Sequence, residues 1–266
     1  MPKIQPITPS RYRDCRWKRY QSYAFAAQQA VAPILAQEVS KAVMSLPLAF
    51  IEDQGAMQLV AVQSLEPNRN LFVAPDGRWL GSYVPAAFRG FPFTLMKTEQ
   101  GQQVLCFDED SGLLLQHPTP GDGEPFFDAD GEPSEPIRQV LEFLSQVDAN
   151  RAVTNRLCQQ IADAELLQPW PLKVTTAEGE RLVKGLFCIH EPAFNALPLD
   201  RLDQLRQSGA LTLILCQLLS MQHMQPLIRM AEQQAVTQTS VPAGGSGLSD
   251  DSESLHFDWD AKSPST

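Results

Sequence analysis

Three stretches of this chain share one grammar, and it constrains the fold more than any other feature. In the first, PLAFIEDQG (47–55) leads into QLVAV (58–62). In the second, PFTLMKTEQG (92–101) leads into QVLCF (103–107), and in the third PLKVTTAEG (171–179) leads into RLVKGLF (181–187). Each opens on proline, runs as a short apolar strand, turns at glycine and returns as a second strand, which is the signature of a β-hairpin. Three hairpins supply six strands, most naturally antiparallel and covered by helices on at least one face. The expected class is α+β: an antiparallel sheet built from about three hairpins and packed with helices. The likeness among the three is also compatible with an internal repeat, but hairpins are common and three weak matches do not establish one.

Helical periodicity fills the intervals. Residues 21–46 read as an amphipathic helix carrying Phe25, Ile34, Leu35, Val39 and Val43, kinked or broken at Pro33. A surface loop rich in Pro, Gly, Asp and Glu spans Pro118–Pro136. Ser134-Glu135-Pro136 then starts a helix over 137–147, and a second is expected over 152–167. A short helix over 199–207 stops at Ser208-Gly209. Residues 211–233 form a strongly apolar helix interrupted by Pro226, whose run Leu211–Leu219 belongs in the core.

Composition excludes several functions. With 31 acidic against 21 basic residues the formal net charge is −10, the wrong sign for a nucleic-acid binder or for attraction to an anionic membrane. No segment approaches the ~18 uninterrupted apolar residues of a membrane span. The cations Arg11, Arg13, Arg16, Lys18 and Arg19 precede an Ala-rich stretch, as in a targeting signal. Gln28, Gln29 and Pro33 interrupt that stretch, however, and it runs into Glu38 and Lys41, unlike a greasy signal core. The five cysteines, at 15, 106, 158, 188 and 216, are odd in number, widely spaced and mostly set in apolar runs. They read as small buried thiols in a reducing compartment, with no structural zinc. A cytoplasmic protein without cofactor or metal is expected.

Beyond about residue 236 the composition changes. Residues 237–249 are rich in Gly, Ser, Thr and Pro and end in the acidic run Asp250–Asp260. The expected organisation is one folded domain over residues 1–236 and a disordered acidic tail over 237–266. Within that tail Leu255, Phe257 and Trp259 alternate with His256, Asp258 and Asp260, which is strand periodicity. Such a segment can dock on a partner, burying its apolar side chains while its acids meet a basic rim. The plainer reading is an acidic solubility tail. His256-Phe257-Asp258 resembles the His-x-Asp of iron oxygenases, but a disordered tail offers no preorganised site.

The most distinctive stretch is residues 70–93. Its NLF (70–72), DGRW (76–79), YVPA (83–86) and RGFPF (89–93) resemble the central signature of the bacterial SapC family. The likeness extends through LCFDED (105–110), PWPL (169–172), GLFCIHE (185–191) and LLSM (218–221), and covers roughly residues 20–232. Two departures stand out. Gly90 and Phe91 stand where a second arginine and a tyrosine are expected, and His190 stands in place of an aspartate. The family is named from a surface-layer locus, and its members often lie near genes for outer-membrane receptors and oxygenase- or halogenase-like enzymes. The resemblance therefore implies a link to the cell surface without naming a reaction.

Within the signature, Arg78, Trp79, Tyr83 and Arg89 are the candidate ligand-binding residues: an aromatic and cationic set suited to an anionic or peptide ligand. Against this, Trp79, Tyr83, Phe88, Phe91 and Phe93 read equally as core, with both arginines buttressing carboxylates. Asp108, Glu109 and Asp110 follow the second hairpin and His190 and Glu191 the third. Should those ends adjoin they would suit a hard metal or acid–base chemistry; turn residues and helix caps explain them as well. The basic, aromatic segment Arg11–Tyr23 reads either as a dock for an acidic partner or as a solvated helix start. No phosphate loop, dinucleotide fingerprint or nucleophile elbow occurs.

The preferred expectation is a non-enzymatic accessory or interaction protein that binds a protein or peptide partner, with the tail recruiting a second. The alternative is an enzyme or enzyme subunit acting on a peptide or envelope-related substrate through the Arg78–Arg89 region. A third is a surface-layer component exported by a route that reads its C-terminus.

Overall fold

The first hairpin closes as its sequence demands. Strands β4 (Leu48–Asp53) and β5 (Ala56–Val62) pair antiparallel from Leu48 opposite Ala61 to Asp53 opposite Ala56. Only Gln54 and Gly55 remain for the turn, and both take positive φ, 49° and 78°. That is the turn whose twist matches paired strands, and glycine adopts it without penalty. A computed structural model of the protein describes residues 2–119, 121–176 and 179–239.

All three expected hairpins form, and they are distributed over three sheets. β4 and β5 lie inside a five-stranded antiparallel sheet with β3 (Val31–Pro33), β10 (Leu167–Pro169) and β13 (Leu186–Ile189), in the order β10-β13-β4-β5-β3. The second hairpin, β6 (Phe93–Lys97) with β7 (Gln103–Asp108), joins the N-terminal β1 (Ile4–Pro6) in the order β1-β7-β6. The third, β11 (Leu172–Thr176) with β12 (Gly179–Val183), is a separate two-stranded ribbon. A small sheet places β2 (Arg16–Trp17) between β8 (Leu114–Leu115) and β9 (Glu124–Pro125). Strand β4 is buried along Leu48–Ile51, which is why it reads as an unbroken apolar run instead of an alternating one.

Helix α4 (Glu135–Asp163) ties the sheets together. Its 29 residues make it about 44 Å long at the α-helical rise. Near its start Ile137, Val140 and Leu144 pack in a cluster with Tyr12, Trp17, Phe93, Phe107 and Phe126. Near its end Leu157, Cys158 and Ile161 pack in the main core with Phe50, Leu59, Leu186 and Ile214. The two helices expected over 137–147 and 152–167 are thus one. Asp148-Ala149-Asn150-Arg151 interrupts the apolar stripe but contains neither Gly nor Pro, so nothing breaks the backbone. The helix ends early because Glu165 turns at φ 55° and Leu167 enters β10.

The helix expected over 21–46 does not form. In its place stand a 3₁₀ turn at Ala24–Ala26, strand β3, and the single-turn helix α2 (Val39–Ala42). Val31, Ala32 and Pro33 pair with Val62, Ala61 and Val60, and the missing N–H of Pro33 is tolerated because β3 is an edge strand. Ala-rich composition imitates a helix, and pairing with β5 overrides it. The 118–136 loop is likewise anchored: β9 pairs with β2, and Phe126 and Phe127 are buried.

The remaining helices are the short α1 (Pro9–Tyr12), α3 (Ala86–Arg89) and α5 (Glu191–Asn195), then α6 (Leu199–Ser208), α7 (Ala210–Ser220) and α8 (Met224–Thr239). Gly209, at φ 93°, separates α6 from α7, and a 3₁₀ turn ahead of Pro226 separates α7 from α8. Helix α7 buries Leu213 and Ile214, as expected of a core helix, but its polar residues do as much as its leucines. Buried Gln217 donates Nε2 to Leu48 O (3.1 Å) and accepts the Ile189 N–H (2.9 Å). Ser220 Oγ accepts the Leu48 N–H (2.9 Å), so two side chains stitch the helix to β4 and β13. No helix among the described residues is long and apolar enough to cross a membrane.

Candidate functional site

The 70–93 segment is shaped first by its small and amide residues. Buried Asn70 donates Nδ2 to Ala26 O (3.0 Å) and to Gln63 Oε1 (2.8 Å), and its Oδ1 accepts the Phe72 N–H (3.0 Å). This holds the segment against the 3₁₀ turn at Ala24–Ala26. Gly77 turns at φ 82°, a conformation that favours glycine, and a Cβ there would lie 1.9 Å from Ser22 Oγ and 3.0 Å from its Cβ, so glycine suits the close approach of the two segments. The contact is closed by the Tyr23 N–H on Gly77 O (2.8 Å).

Those contacts aim the aromatic residues. Trp79 stacks on Phe72 with centroids 5.7 Å apart, meets the edge of Phe88, and donates Nε1 to Tyr83 O (2.9 Å). Tyr83 donates its phenol to Glu38 Oε2 at 2.5 Å. Glu38 Oε2 also accepts the Ala86 N–H (2.8 Å) at the start of α3 and lies 3.5 Å from Arg89 Nη2, while Oε1 accepts the Leu35 N–H (2.9 Å). Burial, then the Glu38 carboxylate, pushes the Tyr83 phenol above its ordinary range, so it remains a donor at neutral pH. The Arg89 guanidinium lies 5.9 Å from the Tyr83 ring centroid and 5.6 Å from that of Phe143 on α4.

Around this knot lies a layer of half-buried rings. Tyr20 meets Tyr23 (5.4 Å) and Phe25 (5.2 Å) edge-on, Tyr23 approaches Trp79 (5.5 Å), and Phe25 stacks flat on Phe91 at 3.9 Å. Tyr20 is pushed up to about 12, chiefly by burial and then by Tyr23, with nearby Arg89 acting in the opposite sense.

The structure thus brings together three of the four candidate residues, Trp79, Tyr83 and Arg89. Arg78 is engaged within its own turn, its Nε 2.7 Å from Asp76 Oδ2 and its side chain 75% exposed. Phe88 and Phe93 are core, whereas Trp79, Tyr83 and Phe91 are only partly covered. Sequence reasoning missed Glu38, which stands among Gln37, Ser40 and Lys41 and carries no local signal of its burial. It also assigned Phe25 to a helix face and Tyr20 and Tyr23 to a separate basic segment.

The other candidates have structural employment. Glu109 accepts from Arg11 Nε (2.7 Å), Arg11 Nη2 (2.9 Å) and the Tyr12 phenol (3.0 Å), and pairs with Lys3 Nζ (2.9 Å). Arg11 chiefly, with Lys3 and Tyr12, holds its carboxyl down at about 2. Asp108 caps the Asp110 N–H (3.1 Å). His190 and Glu191 begin α5 after β13, in a different sheet from β7, and no group of three or more potential ligands suited to a metal occurs among the described residues. Of the N-terminal cations, Arg16 donates to Gly123 O (3.2 Å) and Arg19 pairs with Glu124 (2.6 Å), fastening β2 to β9. The five cysteines are free thiols raised by burial, Cys158 to about 12, and are not activated nucleophiles. Leu255, Phe257 and Trp259 lie outside the described residues.

Neither a curated protein nor a solved structure matches the chain. The SapC family model matches residues 7–227, from the segment before α1 into α8, more than four fifths of the 266 residues. The chain belongs to the SapC family.

Proposed function

We propose that this protein is a non-enzymatic interaction protein of the cytoplasm, whose folded part, residues 1–236, binds a peptide segment of a protein partner. The binding face is Trp79, Tyr83 and Arg89, widened by Tyr20, Tyr23, Phe25 and Phe91. One observation carries this reading. Arg89 is 44% exposed beside a layer of partly covered rings, and its carboxylate neighbour Glu38 is already engaged by three stronger donors. A guanidinium offers five N–H donors, so Arg89 retains several for an incoming anion. Rigid aromatic rings beside an arginine are the composition of interface hot spots. An extended peptide carrying acids beside apolar side chains fits this chemistry. The acidic residues 250–260 are a second docking element, and the partner is taken to belong to a surface-layer or envelope-related pathway.

The test is purification of the full chain from its native host with stoichiometric partners identified by mass spectrometry. Phe25→Ala and Arg89→Ala should each reduce recovery of the principal partner at least tenfold. Recovery from both variants equal to that from the native chain would overturn the reading.

A further inference from the structure

The chain contains a peptide of the kind this face would take. Residues 250–260 carry five acids, Asp250, Asp251, Glu253, Asp258 and Asp260, and no lysine or arginine, with Leu255, Phe257 and Trp259 spaced by two. Facing them in chemistry are Tyr20, Tyr23, Phe25 and Phe91, with the half-exposed Arg89 two residues before Phe91, which meets Tyr20 at 6.1 Å, and exposed Lys18 two residues before Tyr20.

We propose that the C-terminal segment Asp250–Asp260 docks on the Tyr20–Phe25–Phe91–Arg89 face of its own chain, so that a partner must displace it. This rests on the reading of that face as a peptide-binding surface. Alternate side chains of the segment cover the rings, while Asp258 between them and Asp260 beyond them meet Arg89 and Lys18.

Reach permits it. Helix α8 ends at Thr239, and the sixteen residues to Leu255 span up to about 55 Å when extended. A globular domain of this size is roughly 45 Å across, about 70 Å from pole to pole over its surface, so the extended segment reaches most of the surface but not the pole opposite Thr239. Tethering then makes a weak contact sufficient. A short linker sustains an effective concentration on the order of 1 mM, at which an intrinsic affinity of about 100 μM leaves roughly nine segments in ten docked. Charge complementarity at partly exposed groups also makes the contact sensitive to salt.

The experiment uses the full chain with a photoreactive residue beside the three apolar side chains, Ala261→p-benzoylphenylalanine, irradiated at low micromolar concentration and mapped by mass spectrometry. Crosslinks within the monomer to residues 16–25 or 83–92 are expected, reduced at least fivefold by Arg89→Ala or by 0.5 M salt. Crosslinks to the exposed Leu215 and Leu219 of α7, crosslinks found only between two chains, or none at all would overturn the proposal. Phe257→p-benzoylphenylalanine repeats the measurement from within the segment and must give the same map. Partner recovery separates this inference from the reading beneath it. The triple change Leu255→Ala, Phe257→Ala, Trp259→Ala should raise partner recovery severalfold, and unchanged recovery would overturn self-docking. Recovery indifferent to Phe25→Ala and Arg89→Ala, beside self-crosslinks to the face, would instead remove the partner and keep the self-contact.

Discussion

Glu38 accepts a 2.5 Å hydrogen bond from the phenol of Tyr83 across 45 positions of sequence, and with it the central signature is locked to the segment before α2. The same carboxylate oxygen fixes the start of α3 and, through it, the stem of Arg89. The proposed binding face and fold stability therefore share one buried group. Replacing Glu38 by Ala strands three donors, the Tyr83 phenol and the Ala86 and Leu35 N–H groups. The expected cost is about 3 kcal/mol, with Glu38→Gln less damaging because an amide oxygen still accepts. Denaturant unfolding of the two variants against the native chain measures both.

The N-terminal strand is held by charge, and its hold depends on pH. Glu109 moves from 4.5 in its ordinary state to about 2 in the folded protein, mainly through Arg11. A depressed carboxyl contributes stability that is complete above pH 4.5 and is lost as pH falls from there toward 2. Acid unfolding should show this loss in the native chain. In Glu109→Gln it should shrink, the variant being less stable at pH 7 and approaching the native chain at pH 3. An unchanged acid profile would remove Glu109 from the account.

Gln217 should be intolerant of an apolar replacement despite lying in a leucine-rich helix. Gln217→Leu preserves hydrophobicity but leaves the Leu48 carbonyl and the Ile189 N–H without their side-chain partner in the core. A loss of about 2–4 kcal/mol is expected, measured by chemical denaturation. Leu219→Gln, on the same helix but 63% exposed, should change stability little.

What the sequence disclosed and what it hid follow from the range of the interactions. The hairpins were legible because proline, a short apolar run and glycine act within ten residues. The 21–46 segment was misread because its local composition favours helix, whereas its structure is set by β5, about thirty positions away. Helix α4 was read as two because an apolar stripe can lapse on the solvent side without breaking a helix. At the site, residue types were legible and partnerships were not. Arg78 and Arg89 look equivalent in sequence, and only the fold gives one to Asp76 of its own turn and the other to the aromatic layer.

That difference between the two arginines yields a further prediction. Arg78→Ala should leave partner recovery and the unfolding midpoint where they are, because its contacts are local and exposed. Loss of the partner with Arg78→Ala would extend the site to the Asp76–Arg78 turn.

The central claim is that one face of the folded domain, Tyr20 to Phe25 with Tyr83 to Phe91, holds the partner peptide. Hydrogen–deuterium exchange of the purified complex against the free full chain tests this most directly. The account predicts new protection concentrated in residues 18–26 and 83–92. Protection confined to α7 and the segment after α2, with those residues unchanged, would contradict it.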